Sequence, residues 1–414
     1  MKLKPELGLT SAILYGIGVI VGAGIYSLIG IGAGLAGNLI WLAFLVGGII
    51  ALFTSLSYAE LSTIFTLEAA EYHYTKKAFK SDLLAFIIGW ILVAAGVFFA
   101  STVALGFAGY LSAIIGGDTS LIALILIIIM GCLNYFGIRI STIYNNFCAI
   151  ISVIGLLIIA FLAFGYPSIG TNYFEPPSSG LVGFISALSV VFFASIGFEN
   201  IANISEEIKD NRSVVPKAIV ISVIISALLY TMISIAALHV VSWEELSNSS
   251  APLALVVSRA SHALSILIYP IALFATSNTV LIALTSVSRI LFGMSRSKSM
   301  PKAFSHLSRF RTPSLSIALS VLAACAVVYL GDIKTAAQLT NLGVFVTYFA
   351  VNLSLLSLRN QKSHFKSPRV AGIPILAIFG ALTSLFMIIY LGTELWLVEF
   401  LVILIGLGLY FWPR

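Results

Sequence analysis

Charged residues are scarce in this sequence. Only 9% of its 414 residues are Asp, Glu, Lys or Arg, against about 25% in a typical soluble domain, and 60% are hydrophobic. The core of a soluble domain does not need so many apolar side chains. The composition therefore excludes an ordinary soluble enzyme or binding module and indicates a chain that lies largely in a membrane.

Cysteine and histidine are also rare, and neither forms a metal-binding pattern. The three cysteines, Cys132, Cys148 and Cys325, fall inside apolar stretches, and the five histidines lie in loops or at the ends of such stretches. A zinc site needs closely spaced Cys or His ligands, and a catalytic centre needs a polar cluster. We therefore expect neither a cofactor nor an enzymatic activity.

Apolar runs recur along the whole chain, and many are long enough to cross about 30 Å of hydrocarbon at about 1.5 Å per helical residue. Unbroken runs of this length indicate helices, because the strands of a membrane barrel show short alternating segments. The sequence therefore predicts an all-α membrane protein with twelve spans. They lie near residues 10–34, 39–65, 83–115, 120–138, 142–165, 181–207, 215–241, 263–294, 313–331, 336–357, 372–392 and 395–412.

The net charge of +6 does not indicate nucleic acid as a partner, because the basic residues are spread over many loops. If the N-terminus is cytoplasmic, twelve spans put every basic residue except Arg259 and Lys334 on the cytoplasmic side. This segregation follows the positive-inside rule and supports the number of spans. We expect a multi-pass protein of the cell membrane with both termini in the cytoplasm and a first span that is retained, not cleaved as a signal peptide.

Two of the predicted spans are interrupted at corresponding places. The first contains "GVIVGAGIYSLIG" and the sixth contains "FFASIGFENIANISEE", where glycines and a carboxylate interrupt an apolar run. Glycine weakens a helix by about 1 kcal/mol relative to alanine. Because the two interruptions lie five spans apart, we infer two five-helix repeats, residues 1–165 and 181–357, followed by two additional helices in residues 372–412.

An interrupted membrane helix leaves backbone N–H and C=O groups without partners, at a cost of several kcal/mol each in hydrocarbon. In transporters built from inverted repeats, a substrate and its coupling ion satisfy these groups. The alternative is that the glycines only allow close helix packing. Because the second interruption also carries an acid, we favour a binding site, and an amino acid zwitterion offers both charges that such a site accepts.

Four segments occur in an order and spacing typical of a known family: "GIGVIVGAGIYSLIG", "YAELSTIFTLEAAEYHYTKKAF", "FFASIGFENIANISEEIKDNRSVVPKAI" and "SRILFGMSRSKSMP". With them the chain resembles the amino acid–polyamine–organocation (APC) superfamily, in its prokaryotic amino acid permease branch. The resemblance implies a five-plus-five inverted repeat with broken helices 1 and 6 and transport by alternating access. The sequence departs from the family pattern in predicted cytoplasmic loops, at Thr66, Ala69, Ala70, Asn211 and Ser297.

The same resemblance implies a substrate site made mostly of backbone. The substrate carboxylate would meet the N–H groups of Ala23 and Gly24, with Gly22 permitting the close approach. The α-ammonium group would meet three carbonyls, those of Ile20, Phe193 and Ile196. Phe193 also matches an aromatic position that closes over the substrate, and the alternative is an ordinary core or lipid-facing residue.

Specificity is expected from side chains around that site. None of them is charged, and an unpaired cationic side chain is costly to desolvate in such a pocket. We therefore expect a neutral, small to medium amino acid as substrate. The side chains are those of Ala95, Gly96, Ala100, Ser195 and Ala283.

Glu199 follows the second interruption, where a charged carboxylate is normally costly. One interpretation is that it carries or senses a proton during transport. The other is that free N–H groups at the start of a half-helix simply stabilise it. The sequence leaves both open.

The coupling ion is the feature that the sequence specifies least. In proton-coupled relatives a lysine of the fifth span can take the place of sodium, and here that position is Ser152. A candidate sodium site would combine carbonyls and side-chain oxygens from the first and eighth spans. The alternative is an exchanger in which the site is empty and its polar residues serve as contacts between helices. The residues concerned are Gly18, Val21, Ala275, Asn278 and Thr279.

These observations predict a secondary transporter of small, neutral amino acids that is coupled to protons or works as an exchanger. The alternatives are a sodium-coupled amino acid symporter and an amino acid sensor on the same fold. The expected partners are the amino acid substrate and the lipid bilayer, and nothing in the sequence indicates the oligomeric state.

Overall fold

A computed structural model describes residues 5–249, 251–330, 333–391 and 394–411 of the chain. Almost all of this part is helical, as the composition predicts. Besides the helices it contains a two-stranded antiparallel hairpin, β1 (Arg369–Val370) and β2 (Ile373–Pro374). The helices are α1 (Leu9–Ile20), α2 (Ala23–Ala36), α3 (Ile40–Ile64), α4 (Ala70–Phe79), α5 (Asp82–Ile115), α6 (Thr119–Tyr135), α7 (Ile138–Phe164), α8 (Gly180–Val191), α9 (Glu199–Ala202), α10 (Asn211–Val240), α11 (Trp243–Ser247), α12 (Pro252–Ala260), α13 (Ile268–Arg296), α14 (Ser314–Leu330), α15 (Ile333–Leu358), α16 (Ile375–Tyr390) and α17 (Glu394–Phe411).

The chain is a multi-pass membrane protein. In the described residues, 8 segments are long and apolar enough to cross a bilayer, or 9 if the bent pair α16 and α17 counts as one span. The two helices of that pair meet at 111°, and α6 and α14 are apolar but shorter. Each of the twelve predicted apolar runs coincides with one or more of these helices.

Both predicted interruptions are present. The first predicted span consists of α1 and α2, which are separated by Val21 and Gly22. The sixth consists of α8, a 3-10 turn at Phe192–Ser195 and the short helix α9. The sequence did not predict α4, α11 or α12, because these short helices carry polar residues and lie between the apolar runs.

The interior of the bundle is formed by α3, α5, α10, α13 and α15, which pack on one another. Half-helix α1 lies against α7, α10 and α13. Outer helices expose large apolar side chains, for example Ile128 of α6, Phe161 of α7 and Leu397 of α17. Such faces suit contact with lipid, whereas the buried helices position the two breaks.

A polar layer covers one end of the bundle, which we call the α4 end: α4 together with residues 65–69, 203–210 and 297–312. Here the N-terminal backbone pairs with the chain that follows the second break, because Leu7 N–H donates to Glu207 O over 3.0 Å and Lys209 N–H donates to Leu7 O over 2.8 Å. Arg296 of α13 pairs with Glu68 at 3.1 Å and with Glu206 at 2.9 Å. These contacts tie α1, α13 and the second break together.

Candidate functional site

The first break exposes the carbonyl end of α1 and the N–H end of α2 to each other. Gly22 N–H donates to Ile20 O over 2.9 Å, and the Tyr230 hydroxyl donates to the same oxygen. The first N–H groups of α2 have no partners within their own helix, and the positive end of the helix dipole lies there. The start of α2, at Ala23 and Gly24, is thus suited to an anionic group.

The second break is an extended turn that only glycine adopts readily. Ile196 has φ −74° and ψ 144°, and Gly197 has φ 129°, a conformation that other L-residues rarely adopt. A Cβ atom on Gly197 would lie 2.6 Å from Cγ1 of Val19. The second break therefore packs directly against the last turn of α1.

The glycines of the first break are also in close contact with their neighbours. A Cβ atom on Gly24 would lie 2.4 Å from Cα of Ala194, in the 3-10 turn of the second break. A Cβ atom on Gly22 would lie 1.9 Å from Oγ1 of Thr279 on α13. Close packing, the alternative interpretation of these glycines, is therefore real in this conformation, and it brings the two breaks together.

A small cavity lies beside the breaks, between α5, α13 and α15. Its volume is about 20 Å³, enough for a water molecule and too small for an amino acid. Three of the five predicted specificity positions line it, namely Ala95, Gly96 and Ala283. The others do not, because Ser195 faces a second cavity of about 10 Å³ between α3 and α10, and Ala100 lines neither. The conformation is closed around the breaks.

Phe193 lies in the 3-10 turn of the second break and is buried. Its ring packs on the ring of Phe99 in α5, with 4.8 Å between the centroids. Its carbonyl accepts a hydrogen bond from Ile196 N–H over 3.3 Å. The side chain is thus one partner of an aromatic pair between α5 and the break, and Phe99 was not anticipated from the sequence.

Glu199 is buried next to the second break and lines the cavity of about 20 Å³ between α5, α13 and α15. Its Oε2 atom accepts hydrogen bonds from Gly197 N–H over 3.0 Å and from the Tyr348 hydroxyl over 2.7 Å. The predicted specificity positions are all uncharged and suggest a cavity without an acid, but Glu199 places a carboxyl group in its lining. The carboxyl group also links the second break to α15, a connection that the sequence did not indicate.

The predicted sodium ligands converge, and the carbonyls of Gly18 and Ala275 already have donors, whereas Asn278 Oδ1 is buried with no hydrogen-bond partner among the described residues. Gly18 O accepts from Asn278 Nδ2 over 3.1 Å and from Thr279 Oγ1 over 3.4 Å. Thr279 Oγ1 also lies 3.1 Å from Ala275 O. The fifth residue of this set, Val21, is the first residue of the break.

Asn145 of α7 lies directly against Gly18, a contact that the sequence did not indicate. Ser152 donates its hydroxyl back to Cys148 O, 2.7 Å away within the same helix. Asn145 Oδ1 accepts from Asn278 Nδ2 over 2.9 Å, and a Cβ atom on Gly18 would lie 2.2 Å from it. Asn145 was missed, although an asparagine inside an apolar run is a recognisable signal for a contact between membrane helices.

The polar layer at the α4 end contains groups that burial perturbs. Burial raises the pKa of the Glu71 carboxyl to about 8 and lowers the pKa of His73 to about 4. Glu71 Oε1 accepts from Asn203 Nδ2 over 3.1 Å, and Asn203 Oδ1 accepts from the N–H of Ala70 over 2.9 Å. The residues just after α9 are therefore fixed to α4.

Comparison with known proteins agrees with this architecture. A family profile described as "Amino acid permease" matches residues 7–397. The chain belongs to the amino acid permease family. This family falls in the APC superfamily, as the four sequence segments predict, and its members are transporters and not enzymes.

Several curated proteins resemble this permease along most of its length. The branched-chain amino acid permease BcaP of Bacillus subtilis is 30% identical and covers 99% of this chain and 93% of its own. The methylthioribose transporter of the same species is 25% identical, over 96% of this chain and 91% of its own. The cationic amino acid transporter 3, mitochondrial, of Arabidopsis thaliana is 28% identical, over 86% of this chain and 63% of its own.

Proposed function

We propose that this permease is a secondary active transporter of small, neutral amino acids that works by alternating access. The observation that carries the proposal is the contact between two broken helices in the interior of the bundle, with the N–H end of α2 beside the turn of the second break. A zwitterion offers a carboxylate to the N–H end of α2 and an ammonium group to the carbonyls at the breaks.

In the proposed site, the carboxylate meets the N–H groups of Ala23 and Gly24, next to Gly22. The ammonium group meets the carbonyls of Ile20, Phe193 and Ile196. Ile20 O already accepts two hydrogen bonds, and Phe193 O accepts one. Substrate binding therefore has to rearrange the breaks, which agrees with the small size of the cavity beside them.

The side-chain end of the substrate would extend toward the larger cavity. Ala95, Gly96 and Ala283 line it together with the apolar Ile196, whereas Glu199 is engaged by Gly197 and Tyr348. The small and apolar part of this lining favours a small, apolar substrate side chain, and the lining also includes the polar residues Asn200, Ser286 and Thr340. The name of BcaP, which refers to branched-chain amino acids, supports the same substrate class.

The proposed arrangement is the five-plus-five inverted repeat of twelve spans, with residues 1–165 and 181–357 as the repeats and 372–412 as the additional helices. Counting α6, α14, α16 and α17 as separate spans beside the 8 longer ones supports this number. In the proposed topology both termini lie in the cytoplasm, and the α4 end faces the cytoplasm because it carries most of the basic residues.

Uptake by purified protein in liposomes tests the proposal. We expect uptake of one or more small neutral amino acids, stimulated by an inward proton gradient or by amino acid inside the vesicles. The inward proton gradient and the preloading of vesicles with unlabelled amino acid are imposed in separate experiments. Binding of an amino acid without any uptake would instead support a sensor. If the protein neither binds nor takes up any small neutral amino acid, the proposed substrate class is refuted.

A further inference from the structure

The carbonyl end of α1 is held by side chains of two neighbouring helices. Of its last carbonyls, Ile17 O accepts from Val21 N–H over 2.7 Å and Ile20 O accepts from Gly22 N–H. Gly18 O has no such backbone donor in the helix, and it accepts instead from two side chains of α13, from Asn278 over 3.1 Å and from Thr279 over the longer distance of 3.4 Å. Because a free carbonyl in the bilayer is costly, these contacts stabilise the break in its present form, and the shorter one comes from Asn278.

Asn278 is part of a chain of amides that runs along α1. Its Nδ2 atom also donates to Asn145 Oδ1 over 2.9 Å, and Asn145 Nδ2 donates to Asn146 Oδ1 over 3.3 Å. Asn146 Nδ2 then lies 3.5 Å from Oγ of Ser11. The chain therefore reaches α1 at two points, Ser11 near its start and Gly18 near its end.

The amide pair leaves no space beside Gly18. A Cβ atom there would lie 2.2 Å from Asn145 Oδ1 and 2.7 Å from Asn278 Nδ2. Both asparagines are buried, with Asn145 at 0% and Asn278 at 1% exposure. Their hydrogen bonds therefore form in a medium of low dielectric constant, where an unmet partner is costly.

The arrangement of donors does not fit a sodium ion at this position. A cation needs oxygen atoms that point at it, and the negative end of the α1 dipole favours one. Here an amide N–H group points at Gly18 O, and an N–H group repels a cation. The residues at the carbonyl end of α1 thus satisfy it with neutral donors.

We propose that Asn145 and Asn278 are positioning residues of the transport cycle, whose amide pair holds the carbonyl end of α1 where a coupling cation would otherwise bind. Half-helix α1 stays against α7 and α13 as long as this pair is intact, and it is released when the pair separates. Sodium is then needed for neither binding nor transport. The proposal rests on the proposed function, since it assigns a part of the transport cycle to these two residues.

The test exchanges the donor for an acceptor. In Asn278→Asp the donor is lost, so an ionised carboxylate faces two other acceptors, Gly18 O and Asn145 Oδ1. Either a cation or protonation of the carboxyl reconciles the three oxygens, and the measurements are therefore repeated at rising pH, where protonation no longer competes with a cation. We measure thermal stability in detergent and amino acid uptake in liposomes, each in sodium, potassium and N-methylglucamine chloride at equal ionic strength. For wild type, we expect the same melting temperature and uptake in all three salts.

For Asn278→Asp, we expect a lower melting temperature in potassium and N-methylglucamine and a recovery in sodium. The expected recovery of uptake is about tenfold, the effect of about one charge-assisted hydrogen bond. Asn341→Asp is the matched control, because Asn341 is equally buried and donates to a backbone carbonyl, Ser189 O, over 2.8 Å. Sodium should not rescue that variant. If Asn278→Asp does not fold, Asn145→Asp places the same charge beside Gly18 and is measured in the same way.

Two results would overturn the proposal: a sodium-dependent rise in the melting temperature or uptake of wild type, or an identical response to sodium in Asn278→Asp and Asn341→Asp. The melting temperatures need no substrate. If the protein transports no amino acid, the proposed function fails while the cation dependence of the variants still tests the amide pair.

Discussion

Single glycines determine how closely the two breaks approach. Gly24 faces Ala194 at a distance that leaves no space for a methyl group, since its Cβ atom would lie 2.4 Å from a backbone atom. Gly109 in α5 has nothing within 4 Å of the same position. The two glycines therefore differ in what a substitution does, although both lie in helices.

We expect Gly24→Val to abolish substrate binding and Gly24→Ala to weaken it strongly, because even one methyl group forces α2 away from the second break. Overpacking of this kind costs about 1–3 kcal/mol. Melting temperature and amino acid binding in detergent measure both effects. The control, Gly109→Ala, should be neutral or slightly stabilising, since alanine favours a helix by about 1 kcal/mol over glycine. Wild-type affinity in a folded Gly24→Val variant would contradict this role for Gly24.

The two interpretations of Glu199 remain distinguishable by experiment. The carboxylate accepts hydrogen bonds from Gly197 N–H and from Tyr348. If it also carries a proton, Glu199→Gln should flatten the pH dependence of transport, because the amide cannot ionise, and leave substrate binding largely intact. Tyr348→Phe, which removes one donor and keeps the acid, is the control. A pH profile of Glu199→Gln that matches wild type would assign a structural role.

For single residues, the sequence indicated which side chains are unusual in their apolar surroundings, but not which residues contact each other. It predicted that Gly22, Gly24 and Glu199 matter, because glycines and an acid are conspicuous in an apolar run. It did not indicate that Asn145 lies against Gly18, since that contact depends on how two helices cross. Ser152 was expected there from family resemblance, but its side chain bonds to its own helix.

Helices and the loops after them are joined by ion pairs of very different burial. Arg289 of α13 pairs with Glu207 at 3.1 Å, and their side chains are 0% and 2% exposed. Asn134 of α6 also accepts from Arg289 over 3.1 Å. Arg259 and Glu245 form the opposite case, a pair at 2.6 Å with side chains 43% and 45% exposed.

We expect Arg289→Met to destabilise the protein by about 3–5 kcal/mol, because it leaves the Glu207 carboxylate buried without its partner. The double variant Arg289→Met, Glu207→Leu should recover part of that loss, since no charge is then left unpaired. Arg259→Met should cost about 0–1 kcal/mol, as exposed pairs do. Unfolding in a denaturing detergent measures all three. Equal losses from Arg289→Met and Arg259→Met would contradict the importance of burial.

Helix α4 responds to pH through a buried carboxyl group. Burial raises the pKa of Glu71 from 4.5 to about 8, so the folded protein holds this proton more tightly than the unfolded chain does. The contribution of Glu71 to stability is therefore greatest below its ordinary pKa, falls as the pH rises toward 8 and is lowest above it.

Replacing the carboxyl group of Glu71 by an amide should remove its pH-dependent contribution to the stability of the protein. We expect the melting temperature of Glu71→Gln to exceed that of wild type by a margin that grows from about pH 5 to about pH 9. Thermal unfolding of both proteins across this range gives the margin, and Glu244→Gln is an exposed control of the same chemistry. The same margin at both ends of the range would show that Glu71 does not titrate in it.

Among the elements, long apolar helices were the easiest to predict and the short ones the hardest. Each predicted run coincides with helix because about twenty apolar residues in succession have few alternatives in lipid. Helix α4, with the sequence "AEYHYTKKAF", is held by tertiary contacts such as Asn203 to Glu71, which no local pattern reveals. The ends of α1 and α2 were predicted only approximately, since several glycines occur within a few residues.

At the scale of the whole molecule, the distribution of charge makes a prediction about orientation. The α4 end carries lysines and arginines such as Lys76, Lys302 and Arg309, whereas the opposite end carries Glu175 and Glu244. Positive residues in short loops stay in the cytoplasm during insertion. We therefore expect the α4 end to face the cytoplasm and residues 166–179 to face outward.

Labelling of single cysteines in intact cells tests this orientation. In a variant without Cys132, Cys148 and Cys325, we introduce Ser178→Cys or Lys302→Cys, both at exposed positions. A membrane-impermeant maleimide should label Ser178→Cys in intact cells and Lys302→Cys only after permeabilisation, because the bilayer separates the reagent from the cytoplasmic face. Uptake by each variant serves as the control for folding. Labelling of Lys302→Cys in intact cells would invert the proposed topology.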